Sequence, residues 1–362
     1  MYVPLEPEIS SKMAGMRTLW GFALLLGLPA LVPVMAQVAP SPDAPPVSTA
    51  PAAAPEDMPL TTLKLNVDLV NVFFTAKDKS GNLIPHLTQG DCAVSEDSQP
   101  QTLKSFVAET QQPLTLGILL DTSSSQARVL PLEQDAGSQF IERVLQPKDE
   151  AFLLSFDVDI NLLQDYTNNP RQLARAMSKA DVNSGSRNHA AGIPGAGGGT
   201  IPTIGKPKGT LLYDAVYMAA DQKMNQETGR KALILLTDGE DAGSRTKISE
   251  AIAAAQKSNV MVYAILIADR SFYASLGYSG YSAMKKMTEE TGGRLIDVGN
   301  NGKKLEAAFQ QISDELRTQY IASYTPTNAK MDGSFRTLSV QCSGDGTKVQ
   351  VRKGYFAAAP EN

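Results

Sequence analysis

From Pro113 onward the chain alternates short apolar runs with longer amphipathic stretches, and that alternation constrains its fold more than any other feature. Leu114 to Leu120 is almost wholly apolar, the pattern of a strand covered on both faces rather than wetted on one. A helix is expected at about Ala127 to Leu145, with Val129, Leu130, Phe140, Ile141 and Val144 on its inner face. Ala151 to Phe156 and Ile160 to Asp165 read as strands joined by Asp157-Val158-Asp159. That connection is too short for a crossover, so the pair forms a hairpin and one strand runs antiparallel. Its acids read as ordinary solvated turn residues. Helices at about Pro170 to Ala180, Leu211 to Lys223, Thr246 to Ser258, Ser282 to Thr291 and Lys304 to Arg317 then interleave with strands at Ala232 to Leu236, Val260 to Ile267 and Arg294 to Val298. Strands and helices in this order imply an α/β, three-layer, Rossmann-like domain at 112–318 around a mainly parallel sheet.

On both sides of this unit the pattern is β. Leu63 to Leu69 alternates apolar with polar residues and Val70 to Ala76 continues it, followed by strand-like runs at Leu83 to Leu87, Ala93 to Ser95 and Leu103 to Val107, a segment bounded at 62–111. Residues 319–356 return to β at Tyr320 to Tyr324, Thr337 to Cys342 and Lys348 to Val351, leaving 357–362 as a tail. Each segment alone has few strands, so the two are expected to build one small all-β sandwich-like accessory unit. Cys92 and Cys342, the two cysteines of the chain, each sit in an alternating run that faces a core. They are either bridged or two buried free thiols, since spacing alone does not fix a disulfide.

The first 36 residues read as an address. Lys12 and Arg17 precede an apolar run from Leu19 to Val32, with the small Ala36 beyond it as the expected cleavage position. A run of about 14 residues is shorter than the roughly 20 that a spanning helix needs, which favours a signal peptide over a retained N-terminal anchor. Residues 37–61, rich in Pro, Ala, Ser and Val, form a linker too poor in large apolar groups to fold. The expectation is an exported protein, periplasmic or extracellular, with no stable membrane span after cleavage. A formal charge of −5 gives no general attraction to nucleic acid or to an anionic membrane surface.

The strand Leu114 to Leu120 delivers Asp121-Thr122-Ser123-Ser124-Ser125 at its C-terminal end, where open α/β sheets place their ligands. In a tight turn the side chains of 121, 123 and 125 share one side, so a carboxylate and two hydroxyls converge. Gly209-Thr210 opens the helix beginning at Leu211, and Leu233 to Leu236 runs into Thr237-Asp238-Gly239-Glu240-Asp241. Parallel neighbouring strands bring these ends to one rim. Oxygen-only donors of this kind suit a hard divalent cation.

Asp121-x-Ser123-x-Ser125, the distant Thr210 and the later Asp238 closely resemble the von Willebrand factor A (VWA) family and its metal ion-dependent adhesion site, MIDAS. Flanking segments resemble the secreted bacterial VWA-related proteins of Acidobacteria type. These are Asp78-Lys79-Ser80-Gly81, Leu87-Thr88-Gln89-Gly90-Asp91, Glu96-Asp97 and Gln101, and Arg352-Lys353-Gly354-Tyr355 near the end. The resemblance spans roughly residues 62 to 356. It departs at Ser124, where Gly is usual, and at Gln126, where Met is common, neither of which removes an oxygen donor.

The resemblance implies a metal held by Asp121, Ser123, Ser125, Thr210 and Asp238, with Mg²⁺ expected and Mn²⁺ or Ca²⁺ compatible. The serines would bind directly and at least one aspartate through water. An open coordination position would accept an Asp or Glu of a protein partner, so the chain is expected to be an adhesion or interaction module with no catalytic residues. Glu240 and Asp241 are candidates for hydrogen bonds around those ligands.

Two other classes were weighed. A metal-free scaffold of an envelope complex needs no occupied site. A hydrolase would use Asp121 or Asp238 as base on metal-bound water, but His86 and His189 are the only histidines and no Gly-x-Ser-x-Gly elbow is present. Gly205-Lys206 is followed by Pro207 where a phosphate loop needs Ser or Thr. The Gly- and Pro-rich stretch 183–209 leads into Thr210 and is either a passive insertion or a gate beside the rim.

Overall fold

Strand β5 (Leu114–Asp121) is buried along its whole length, as its unbroken apolar run requires. It sits inside a six-stranded sheet between β8 (Arg230–Thr237) and β6 (Glu150–Phe156), parallel to both. The sheet extends through β9 (Val260–Leu266) to the short edge strand β10 (Leu295–Asp297), again in parallel. At the other edge β7 (Ile160–Thr167) closes the expected antiparallel hairpin with β6. Gly117 lies mid-strand because a Cβ there would stand 2.4 Å from Leu233 and 2.5 Å from Phe152. The neighbouring strands' side chains fill that space.

The coordinates are a computed structural model that describes residues 69–109, 112–182, 209–268 and 280–359. The leader, the linker, the run 63–68 and nearly all of the loop 183–209 lie outside the described residues. Helices α1 (Leu130–Val144), α2 (Pro170–Met177) and α6 (Gly302–Arg317) cover one face of the sheet and share a core with Leu116, Ile118 and Leu120. Helices α3 (Leu212–Met218), α4 (Ile248–Lys257) and α5 (Gly280–Thr291) cover the other, packing on Leu119, Leu233 and Leu235. The result is the three-layer α/β arrangement expected. Helix α1 starts later than the sequence suggests, because Ser124–Gln126 first forms a 3₁₀ turn and Pro131 occupies the first helical turn. The helix expected at Leu211 to Lys223 changes into a π turn at Ala219–Lys223, where the Lys223 carbonyl accepts the Tyr166 hydroxyl.

The flanking segments interleave. β1 (Val70–Lys77), β4 (Leu103–Glu109), β11 (Gln319–Tyr324) and β13 (Lys348–Val351) form one four-stranded antiparallel sheet in the order β13-β1-β11-β4. β2 (Cys92–Glu96), β3 (Gln99–Gln101), β12 (Phe335–Cys342) and β14 (Gly354–Phe356) form a second, in the order β14-β12-β2-β3. Val72, Phe74, Val94, Tyr320, Leu338 and Val340 share one apolar cluster between them. Cys92 and Cys342 face each other across the β2–β12 pair and are joined in a disulfide.

Leu83 to Leu87, expected as a strand, makes only an isolated bridge from Leu83 to Lys77. Its backbone is held instead by the Tyr320 hydroxyl, which donates to the Ile84 carbonyl and accepts from the Leu87 amide. β3 and β14 were not anticipated, being three residues each and lacking a run long enough to show a period.

Polar contacts fasten the α/β unit to these sheets. The buried Arg230 guanidinium donates to the carbonyls of Leu316 at 2.6 Å and Gln112 at 2.7 Å, where the chain leaves and enters that unit. Glu315, fully buried near the end of α6, accepts from Lys77 of β1 at 2.6 Å and from Gln350 of β13 at 3.2 Å, and pairs with Arg294 at 3.0 Å.

Candidate functional site

The C-terminal ends of β5, β6 and β8 form one rim, since Asp121 registers with Phe156 and Leu120 with Leu236. Asp121 ends β5 fully buried. One carboxylate oxygen accepts the Ser123 amide at 3.0 Å and the other the Thr237 hydroxyl at 2.6 Å. The first bond turns the loop sharply after the strand, as an aspartate in a turn commonly does. It leaves Ser123 and Ser125 side by side, with their hydroxyls 3.0 Å apart. Ser125 then donates to the Asp238 carboxylate at 2.6 Å. Asp238 follows β8 directly, and its second oxygen accepts the Glu240 amide at 3.0 Å. Four of the five expected ligands therefore meet in one hydrogen-bonded cluster.

Thr210 reaches the same rim through its backbone. Its carbonyl accepts the Ala242 amide at 3.1 Å, and the next amide, Leu211, donates to the Asp157 carbonyl at 2.8 Å. Gly209 has φ +134° and a Cβ there would stand 2.5 Å from Ala242, so glycine allows the two loops to touch. Among the described residues the Thr210 hydroxyl makes no hydrogen bond to the other four ligand candidates. Asp157 corrects the reading of the hairpin acids as solvated. It is buried, and its carboxylate accepts the Thr122 hydroxyl at 2.8 Å, bracing the loop from the side of β6.

The two accessory acids are bonded to helix starts. Asp241 accepts the Tyr213 amide at 3.1 Å and the Ser244 hydroxyl at 2.5 Å, holding the first turn of α3 just beyond Thr210. Glu240 accepts the Gly280 amide at 2.8 Å, at the start of α5. An acid at a helix N-terminus satisfies amides that lack intrahelical partners. These two carboxylates thus anchor the elements framing the rim.

Burial and the neighbouring Asp238 charge push the Asp121 carboxyl up to about 7. A third acid, Glu133 in the first turn of α1, was not picked out from the sequence. It is fully buried, and burial together with the charges of Asp121 and Asp238 holds its carboxyl well above the usual carboxylate range. Negative charge is concentrated here beyond what local hydrogen bonds relieve. Among the described residues no group of three or more His, Cys, Asp or Glu could hold a metal ion, so a cation at the rim depends on hydroxyl oxygens as well. Two carboxylates and two serine hydroxyls are hard oxygen donors, and they fit a divalent cation of the Mg²⁺ type. Of the two histidines, His86 is exposed in the β segment and His189 lies outside the described residues.

Residues 202–318 match the von Willebrand factor type A domain family. The matched stretch includes Thr210 and Asp238 and begins after the Asp121 loop. No curated protein matches the chain. Among solved structures, a von Willebrand factor type A protein from Catenulispora acidiphila is 10% identical and covers 80% of this chain and 74% of its own, with a TM-score of 0.43. The conserved hypothetical protein BatB from Bacteroides thetaiotaomicron is 16% identical over 56% of this chain and 99% of its own, with a TM-score of 0.40. Proximal thread matrix protein 1 from the mussel byssus, in a form with a zinc-occupied MIDAS motif, is 15% identical over 61% of this chain, with a TM-score of 0.44. This chain spans 50% of that protein's length. Among the described residues no helix is long and apolar enough to cross a membrane.

Proposed function

We propose that this chain is an exported, non-enzymatic binding protein whose VWA domain holds a divalent cation, with Mg²⁺ the expected ion, through Asp121, Ser123, Ser125, Thr210 and Asp238. An Asp or Glu side chain of a protein partner takes the remaining coordination position. The observation that carries this reading is the 2.6 Å contact between Ser125 and Asp238 beside Ser123, which unites donors from two distant loops at the edge of one sheet. A dication offsets the repulsion between Asp121 and Asp238 and keeps net positive character when its direct ligands are mostly neutral hydroxyls. It then gains from one further carboxylate.

Calorimetric titration of Mg²⁺ and Mn²⁺ into wild type and Ser123→Ala tests the metal, with saturable binding expected only for wild type. Capture of partners from an envelope extract with and without chelator tests the rest, and retained proteins are expected to elute with EDTA. Wild type that binds neither ion would leave the scaffold role instead. Metal-dependent turnover of generic ester, phosphate or peptide substrates, lost in Asp121→Ala, would replace the binding reading with hydrolysis.

A further inference from the structure

One carboxyl beneath the rim has no role in the five-residue ligand set. Glu133 belongs to the inward stripe of α1, together with Leu130, Gly137 and Phe140. Among the described residues neither of its carboxyl oxygens has a hydrogen-bond partner. The Ser123 carbonyl accepts the Gln126 amide, the Gln126 carbonyl the Val129 amide and the Val129 carbonyl the Glu133 amide, so successive hydrogen-bonded turns tie Glu133 to the ligand loop, close enough for the charges of Asp121 and Asp238 to act on it. Gln126, 1% exposed on the turn leading into α1, also has an unpartnered side-chain oxygen.

Leaving a buried acceptor unpaired is destabilising, more so where it is charged, and hydrogen-bond donors relieve that cost. The three orphaned oxygens therefore call for a donor that enters with a ligand. Water bound to a hard dication is such a donor, because the ion polarises its O–H bonds and Mg²⁺ sheds its waters reluctantly. The N-terminus of α1 further favours negative charge at Glu133.

We propose that Glu133 is a positioning residue of the metal site, accepting hydrogen bonds from water coordinated on the inner face of the cation, with the Gln126 side-chain oxygen as a second acceptor. The proposal rests on the metal-binding reading above. It would add a third acid beside the ligands and hold metal-bound water in place.

The test compares wild type, Glu133→Gln and Glu133→Leu as full chains, by Mn²⁺ and Mg²⁺ titration calorimetry and by melting in chelator. Loss of an acceptor that orients a metal ligand typically costs 10–100-fold in affinity, so both variants are expected to bind each ion at least about tenfold more weakly. Without metal, both should melt at or above the wild-type temperature, since each removes an unpaired buried carboxyl. Affinities within about twofold of wild type would overturn the proposal. So would weakened binding accompanied by a metal-free melting point lower by more than about 4 °C, because the residue would then act on the fold. A wild type that takes up neither ion overturns the functional reading as well, which separates that failure from the failure of Glu133 alone.

Discussion

The sandwich and the rim both bury carboxyl groups, and they treat them in opposite ways. Glu96 of β2, 2% exposed, accepts the hydroxyls of Tyr324 at 2.6 Å and Tyr355 at 2.7 Å and pairs with Arg336 at 3.2 Å. Its partners come from both accessory sheets, so the acid links the two layers with its charge compensated. At the rim, among the described residues, Asp121 receives neutral donors, the Thr237 hydroxyl with the Ser123 amide and side chain, and Glu133 receives no hydrogen bond. A buried acid with a complete set of donors is structural. One whose donors are incomplete leaves room for an outside ligand to supply the rest.

Substitutions in the two places should therefore separate stability from metal affinity. Glu96→Ala removes the carboxylate that balances the buried Arg336, leaving it the Asn328 and Lys330 carbonyls and the Tyr355 hydroxyl as acceptors, and is expected to lower unfolding free energy by about 3–5 kcal/mol in urea titrations, with Mg²⁺ affinity of the folded chain unchanged. A matching fall in affinity would break the contrast. Removing the Cys92–Cys342 bridge, which spans 250 residues of sequence, is expected to cost about 2–4 kcal/mol, again with no change in metal titrations. Asp238→Ala should do the reverse. About 100-fold weaker Mn²⁺ binding is expected by calorimetry, a typical consequence of disturbing a metal site, while the metal-free melting temperature holds or rises.

Stability and metal affinity should also depend on pH. The Asp121 carboxyl is raised from 3.8 to about 7 in the folded chain. Its stabilising contribution in the metal-free protein is complete below pH 3.8, is lost as pH rises through about 7, and is constant above that. Urea midpoints in chelator should accordingly favour acidic over neutral pH for wild type, and Asp121→Asn should flatten that difference. A metal must displace the same proton, so affinity should fall about tenfold per unit below pH 7. A flat affinity between pH 5.5 and 7, values chosen roughly to bracket that titration, would show that Asp121 carries no such proton.

What could be read in advance follows the range of the interactions involved. β5 was legible because a strand covered on both faces leaves an unbroken apolar run, and Asp121, Ser123, Ser125 and Asp238 because they follow such runs directly. Glu133 was missed within Pro131-Leu132-Glu133-Gln134-Asp135, which looks solvated when read residue by residue. Its spacing from Leu130, Gly137 and Phe140 was the available signal, an acid set in the apolar stripe of a helix. Leu83 to Leu87 was misread as a strand because the Tyr320 hydroxyl that holds it comes from a distant part of the chain. Asp157 carries no local mark of its contact with Thr122, which depends on β5 and β6 being neighbours.

Glu109 and Gln319, at the two junctions between the sandwich and the α/β unit, are paired across β4 and β11. Residues paired across antiparallel strands lie about 5 Å apart, so the chain enters and leaves the α/β passenger at one narrow point, beside the contacts that Glu315 makes with Lys77 and Gln350. Arg230, inside the passenger, bonds the carbonyls of Gln112 and Leu316, just beyond the ends of those two strands. A graft that replaced everything between the junctions with a tight turn would leave every strand pairing of the frame in place, while discarding the whole α/β cargo in one cut.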